Sequence, residues 1–396
     1  MDFLLPSIFD LIEKTRTTLD YLHKKKVEKS SEAAYKARLD PRLIDFLQEY
    51  YKIPLLKRCG ITYPVFSSNI PSHQSTDIES ILGELSLENR QDFVIQNKDF
   101  VKFLQKQNKT LFNGRTYVMD RFDNQNSFKI HCSLGHLYDS LSTCDILEWE
   151  LLNEFGNISK SLNPVANIEK RLKYRTEYSA KVPDPIFNGM GRSASLSVST
   201  LIVFNDGYTY RALVRMRSNK TAAHSNLYHI APAFIFQPVC GFHREEYSIK
   251  HNFYREYLEE LFGLPEVEKP GAVIRHDYFY DHQSFKILDN FLEKKQASLY
   301  LVCYCVNILN LRPEICILLI IDESSWANQK IQSNWEYLSA DDSIQQGLDY
   351  IVPIDILRDN EEIGQDLSNI PGTFVPPGAA AFWNGIDKVR DILVNQ

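Results

Sequence analysis

Residues 196–216, LSVSTLIVFNDGYTYRALVRM, decide the fold class. Leu196 to Phe204 is rich in β-branched and large apolar residues, and Tyr210 to Met216 resumes that pattern after Asn205-Asp206-Gly207. Asn, Asp and Gly tolerate the backbone of a tight turn, so the two runs read as a β-hairpin. A third β-rich run, Leu227 to Val239, is broken by Pro232 and Pro238; a loop then leads into a helix over Asn252 to Phe262. The order is strand, strand, strand, loop, helix.

Downstream, residues 299–321, LYLVCYCVNILNLRPEICILLII, are long and apolar enough to be mistaken for a membrane span. Arg312, Pro313 and Glu314 interrupt the run at a cost that hydrocarbon would not tolerate, so it reads as two buried strands joined by Asn310-Leu311-Arg312-Pro313. Upstream, Pro183, Pro185, Gly189 and Gly191 mark the best linker in the chain, which places a boundary between an N-terminal region, 1–185, and a C-terminal domain, 190–396. The N-terminal region reads as helical or mixed α+β. Helices are expected from the spacing of Leu4, Leu5, Ile8, Leu11, Ile12, Leu19 and Leu22, from Asp40-Pro41 onward, near Ile78 to Leu87, near Phe100 to Leu104, and over Asp145 to Phe155; strands are expected at Tyr117 to Met119 and Phe128 to Cys132.

The chain has 396 residues, 44 Lys+Arg against 51 Asp+Glu, a net charge of −7 and 44% hydrophobic content. That is a globular composition, and its deficit of positive charge argues against nucleic acid as the partner. The charge is uneven: residues 341–370 carry 8 acidic side chains and one basic, Arg358. Seven cysteines, odd in number and without a C-x-x-C spacing, indicate reduced thiols rather than a disulfide framework or a zinc site. The first residues lack a basic segment and an unbroken apolar run, so export is not expected; a cytoplasmic location is.

On the predicted helix, Glu256, Glu259 and Glu260 stand at i, i+3 and i+4, which places three carboxylates on one face. They would repel one another unless a cation neutralised them, and hard oxygen donors suit Mg2+ or Mn2+. The alternative is an amphipathic helix with an acidic solvated side. His229, His243, His251, His276 and His282 fit no metal-ligand spacing, and Tyr278-Phe279-Tyr280 reads as core before it reads as a base-stacking surface.

The series Gly241-x13-Arg255-Glu256-x2-Glu259-Glu260 resembles the signature of the Nudix superfamily. The hairpin with Arg215-x-Arg217 at its end, the later strands within Tyr300 to Ile321, and a terminal helix over Phe382 to Leu393 after Pro376-Pro377-Gly378 are similar to the rest of that fold. The resemblance covers about residues 190–396 and implies a Nudix-like α/β/α sandwich with a mixed sheet. It departs at three places. The first glutamate of the family's box falls at Tyr247, beside Glu245 and Glu246; its last glycine falls at Phe262, with Gly263 one place later; and its Pro-Gly-Gly entry appears as Pro232-Ala233-Phe234.

The resemblance implies a Mg2+- or Mn2+-dependent hydrolase of a nucleoside diphosphate-linked substrate. Glu256, Glu259 and Glu260 would be metal ligands, Arg255 would anchor the loop beside them, and Arg215 and Arg217 would bind substrate. The rival expectation is a catalytically weak or inactive nucleotide sensor, since Nudix-like domains stand beside bacterial cyclic-oligonucleotide synthases in antiphage defence. The expected partner is a nucleotide-derived small molecule, with no membrane partner and with a second copy of the chain as a further candidate.

Overall fold

The computed structural model describes residues 40–107, 111–158, 168–217, 227–267, 275–331, 351–369 and 374–394. The expected helix over residues 4–22 lies outside them, as does much of the acidic stretch 341–370.

In chain order the strands used below are β1 (Val65–Asn69), β2 (Leu82–Asn89), β3 (Arg115–Asp123), β4 (Lys129–His136), β5 (Ser197–Asn205), β6 (Tyr210–Met216), β7 (Tyr228–Ile230), β8 (Ala233–Ile235), β9 (Ala297–Asn307), β10 (Arg312–Ile321) and β11 (Ile351–Asp355). The helices are α1 (Pro41–Tyr51), α2 (Lys98–Lys106), α3 (Ile146–Ile158), α4 (Lys173–Lys181), α5 (Ile249–Phe262), α6 (Gln283–Glu293), α7 (Asn360–Asn369) and α8 (Pro376–Val394).

The quoted stretch forms the hairpin β5–β6, closed where the Asn205 side chain accepts a hydrogen bond from the Gly207 amide at 2.8 Å and Gly207 takes φ +94°. Only the turn end of the hairpin pairs with itself. Beyond it the strands part, β8 pairs with β5 and β7 with β6. The single third strand expected over 227–239 is therefore two short ones. Pro232, in a cis peptide with Ala231, has no amide to continue a ladder and turns the chain between them.

β9 and β10 form the expected antiparallel pair, and β10 runs parallel to β5. The main sheet is mixed and eight-stranded, in the order β11-β6-β5-β10-β9-β1, with β7 and β8 attached as above. Residue parity assigns the faces. Ile315, Ile317, Leu319 and Ile321 of β10 join a cluster with Phe253, Tyr257 and Leu261 of α5 and Phe285 and Leu288 of α6; Cys316, Leu318 and Ile320 join the opposite one with Phe382, Trp383 and Ile386 of α8. Helices thus cover both faces of an α/β layered structure. On the α8 side, a Cβ at Gly385 would meet Leu201 Cδ2 at 2.6 Å, so the glycine permits the close seat of that helix on β5. No helix among the described residues is long and apolar enough to cross a membrane.

Other sequence expectations also change. The helix expected near Ile78 to Leu87 is a short 3-10 turn, Ile78–Ile81, followed by β2. Gly83 weakens a helix there, and β4 offers β2 a parallel partner in a three-stranded sheet ordered β2-β4-β3. The helix expected from Phe382 starts at Pro376, because proline is well placed in a first helical turn. The boundary at 185–190 does not behave as a linker: β1, from the N-terminal region, pairs with β9, and Met119 and Tyr117 of β3 exchange backbone hydrogen bonds of 2.9 Å with Ala194 and Leu196. Buried Arg175 also donates to the Ile308 carbonyl of the β9–β10 connection at 3.2 Å, and buried Arg192 donates to the Pro185 carbonyl at 2.8 Å. One apolar cluster runs through both regions.

Part of the acidic stretch acquires a physical account. Asp359 accepts from the Glu362 amide at 2.9 Å, and Glu361 and Glu362 occupy the first turn of α7, where negative charge complements the helix dipole.

Candidate functional site

The carboxylate helix α5 starts at Ile249, three residues before the expected Asn252, because Ser248 caps it by accepting from the His251 amide. Glu79, from the 3-10 turn of the N-terminal region, lies over the same end. Its carboxylate accepts from the Ser248 hydroxyl (2.9 Å) and from the Ile249 (3.1 Å) and Lys250 (2.7 Å) amides, so it takes the place an external anion would have there. Gly263, with φ +73°, caps the other end and returns its amide to the Leu258 carbonyl. The glycine that arrives one place late in sequence is the residue that stops the helix.

The loop before α5 is built around Glu246. Its buried carboxylate accepts from the amides of Cys240 (3.1 Å) and Phe242 (2.8 Å), folding the loop back across Gly241, which has φ +86°. Tyr117 of β3 donates its hydroxyl to the His243 carbonyl at 2.8 Å, and the Asn252 side-chain amide donates to the Glu246 carbonyl at 2.7 Å. Of the two candidates for the missing first glutamate, Glu246 is the one that turns inward; Glu245 is exposed.

The three carboxylates do not form a solvated acidic side. Glu256, Glu259 and Glu260 are 8%, 4% and 2% exposed, and Arg255 is 2% exposed. Arg255 Nη2 donates to Glu256 Oε1 at 2.8 Å and to Asn252 Oδ1 at 3.1 Å, while Nη1 stands 3.8 Å from Glu259 Oε2. Burial opposes the guanidinium charge, but Glu256 and Glu259 outweigh it and hold Arg255 more firmly protonated than usual. Tyr278 donates its hydroxyl to Glu259 at 3.2 Å; burial and then the Glu259 charge push that phenol up. Glu260 turns the other way and accepts the Ala233 amide of β8 at 3.1 Å.

Of the two expected substrate-binding arginines, Arg215 is fully buried and donates to the Glu260 backbone carbonyl at 3.0 Å, so it braces the helix. Arg217 is half-buried at the end of β6, where its charge acts on buried Glu314. The helix therefore brings Arg255, Glu256 and Glu259 together and directs Glu260 toward β8, while Arg215 of β6 reaches its backbone carbonyl. Sequence reading missed Glu79, Tyr117 and Asn252, two of which come from a region assigned to a separate domain. Only Asn252 left a signal, its i, i+3 spacing to Arg255.

No family model and no curated protein matches this chain.

In kind, the donor set fits a hard divalent cation. In arrangement, no group of three or more His, Cys, Asp or Glu side chains among the described residues is placed to hold a metal ion. Mg2+ is commonly held by one or two carboxylates, with waters and substrate phosphates completing the shell. Glu256 and Glu259, joined through Arg255, fit that mode.

Proposed function

We propose that residues 190–396, with β1 of the N-terminal region completing their sheet, form a Nudix-like domain that hydrolyses a nucleoside diphosphate-linked substrate with Mg2+ or Mn2+. The observation that carries this reading is the burial of three carboxylates on one helix, two of them drawn together by Arg255, behind a loop folded over the start of that helix. Burying several anions is costly unless cations meet them, and clustered carboxylate oxygens are the hard donors that a divalent cation takes. A loop held by Glu246 and ending on that helix supports the same reading.

Glu256 and Glu259 are the residues that would hold the metal, and either carboxylate is able to take a proton from the attacking water. When bound, Mg2+ supplies neutralisation of phosphate charge and a more acidic water. Arg255 positions both glutamates. Glu260 and Arg215 fix the helix against the sheet, and the loop held by Glu246 shapes the approach. A nucleotide-derived ligand, a cytoplasmic location and self-association belong to the same proposal.

A second reading, a nucleotide sensor without turnover, is favoured by one observation: each carboxylate already accepts from or faces a protein donor, namely Arg255, Tyr278 or the Ala233 amide. One experiment separates the two. The protein is incubated with Mg2+ or Mn2+ and a panel of ADP-ribose, dinucleotides, nucleoside triphosphates and cyclic nucleotides, beside the Glu256→Gln/Glu259→Gln variant. Turnover lost in the variant upholds hydrolysis; tight binding without turnover upholds the sensor; no binding of any nucleotide by the wild type sinks both.

A further inference from the structure

At the opening turns of α5, on the same side as Arg255 and Glu259, aromatic and imidazole rings gather that the proposed hydrolysis leaves unused. His251, Arg255 and Glu259 stand at i, i+4 and i+8 and so share one stripe of the helix. The His251 ring lies 5.6 Å from His276 and 5.1 Å from Phe279, centroid to centroid. Phe242, on the loop held by Glu246, lies 5.6 Å from His276 with the rings tilted by 59°. Phe279 is buried, whereas Phe242 and His276 are half-buried. Nothing lies within 4 Å of where a Cβ on Gly241 would stand, so the loop is uncrowded at this point.

His251 is only 6% exposed, and its Nε2 has no hydrogen-bond partner, while Nδ1 lies 3.3 Å from the Tyr280 hydroxyl. A buried ring nitrogen left unmet costs free energy, which a ligand atom at that point would recover. Burial first, then the charges of Arg255 and His276, push the imidazole down to about 4. It is therefore neutral at physiological pH, with one nitrogen donating and the other accepting.

We propose that Phe242, His276 and His251 form a base-recognition subsite: a heteroaromatic base stacks on the half-buried ring of His276 with the tilted Phe242 ring against its edge, and meets Nε2 of His251. Stacking supplies affinity for any base, because every base has a π-face, and one directional hydrogen bond from a neutral imidazole supplies a preference among them. The segment that carries His276 also carries Tyr278, whose hydroxyl reaches Glu259, so one short stretch holds both the base end and the phosphate end of a nucleotide. The proposal deepens the nucleotide reading and rests on it for the class of ligand, but its test needs neither a divalent ion nor turnover.

Binding of AMP, GMP, CMP, UMP and ribose 5-phosphate to the full chain is measured by calorimetry without divalent ions, for wild type, His276→Ala and Phe242→Leu. At least one nucleotide is expected to bind tenfold or more tightly than ribose 5-phosphate. Both variants are expected to lose that preference while unfolding as the wild type does. A His251→Gln variant is expected to keep base binding and change the ranking among the four bases. Equal binding of nucleotides and ribose 5-phosphate, no binding of either, or a preference that survives both ring substitutions overturns the subsite. A base preference in a protein that turns over no nucleotide upholds the subsite and refutes hydrolysis.

Discussion

Replacing Glu314 by glutamine should make the protein more stable above pH 5, by an amount that grows with pH. Glu314 sits in β10 on the face toward α8, buried, with the Ser199 hydroxyl donating to it. Burial pushes its carboxyl from 4.5 up to about 8, against the opposing fields of Arg312 and Arg217. Below pH 4.5 both folded and unfolded chains hold the proton and the residue is neutral in each. Between pH 4.5 and 8 the unfolded chain releases the proton while the folded one keeps it, so stability falls as pH rises and levels off above 8. Between 4.5 and about 8, at about 1.4 kcal/mol per pH unit, the loss amounts to about 5 kcal/mol over the whole window and about 3 kcal/mol at pH 7. Glutamine keeps the shape and the acceptor for Ser199 but has no proton to lose. Urea unfolding followed by tryptophan fluorescence at pH 5, 6, 7 and 8, for both proteins, gives the difference directly. It should be smallest at pH 5 and grow by about 1.4 kcal/mol per pH unit. A difference that stays constant from pH 5 to 8 would refute the reasoning, since Glu314 would then ionise as easily folded as unfolded.

Arg255→Met should cost about 3–5 kcal/mol in the same assay, because it leaves Glu256 and Glu259 buried without their guanidinium; adding Glu256→Gln should recover part of that loss. Glu246→Ala should raise the hydrogen-exchange rates of the Cys240 and Phe242 amides at least tenfold, with the amides at the centre of β10 unchanged. Glu79→Ala should destabilise the protein by about 1–3 kcal/mol and speed exchange at Ile249 and Lys250 before the rest of α5, since both amides lose their acceptor.

The strands of the main sheet were largely legible because their signals are local. Asn205-Asp206-Gly207 closes a hairpin through its own side-chain and backbone bonds, and the Arg312-Pro313-Glu314 interruption in an apolar run separates two strands wherever the chain is placed. The segment 82–89 misled for the opposite reason. Its apolar spacing suits a helix, and only the presence of β4 alongside makes it a strand. The candidate site divides in the same way: the spacing of Glu256, Glu259 and Glu260 follows from sequence, whereas the burial of all three does not.

The sequence by itself determined that an α/β chain would carry three carboxylates on one helix after a glycine-containing loop, because helical periodicity and turn chemistry act over a few residues. The tertiary structure alone decided what those carboxylates face. Arg255 lies on their own helix, but the Ala233 amide, Tyr278, and the Glu79 and Tyr117 that fix the helix end and the loop arrive from elsewhere in the chain. It also joined the two regions that the proline- and glycine-rich stretch had appeared to separate, because β1 completes the sheet edge at β9 and hydrogen bonds along an edge carry no mark in local composition.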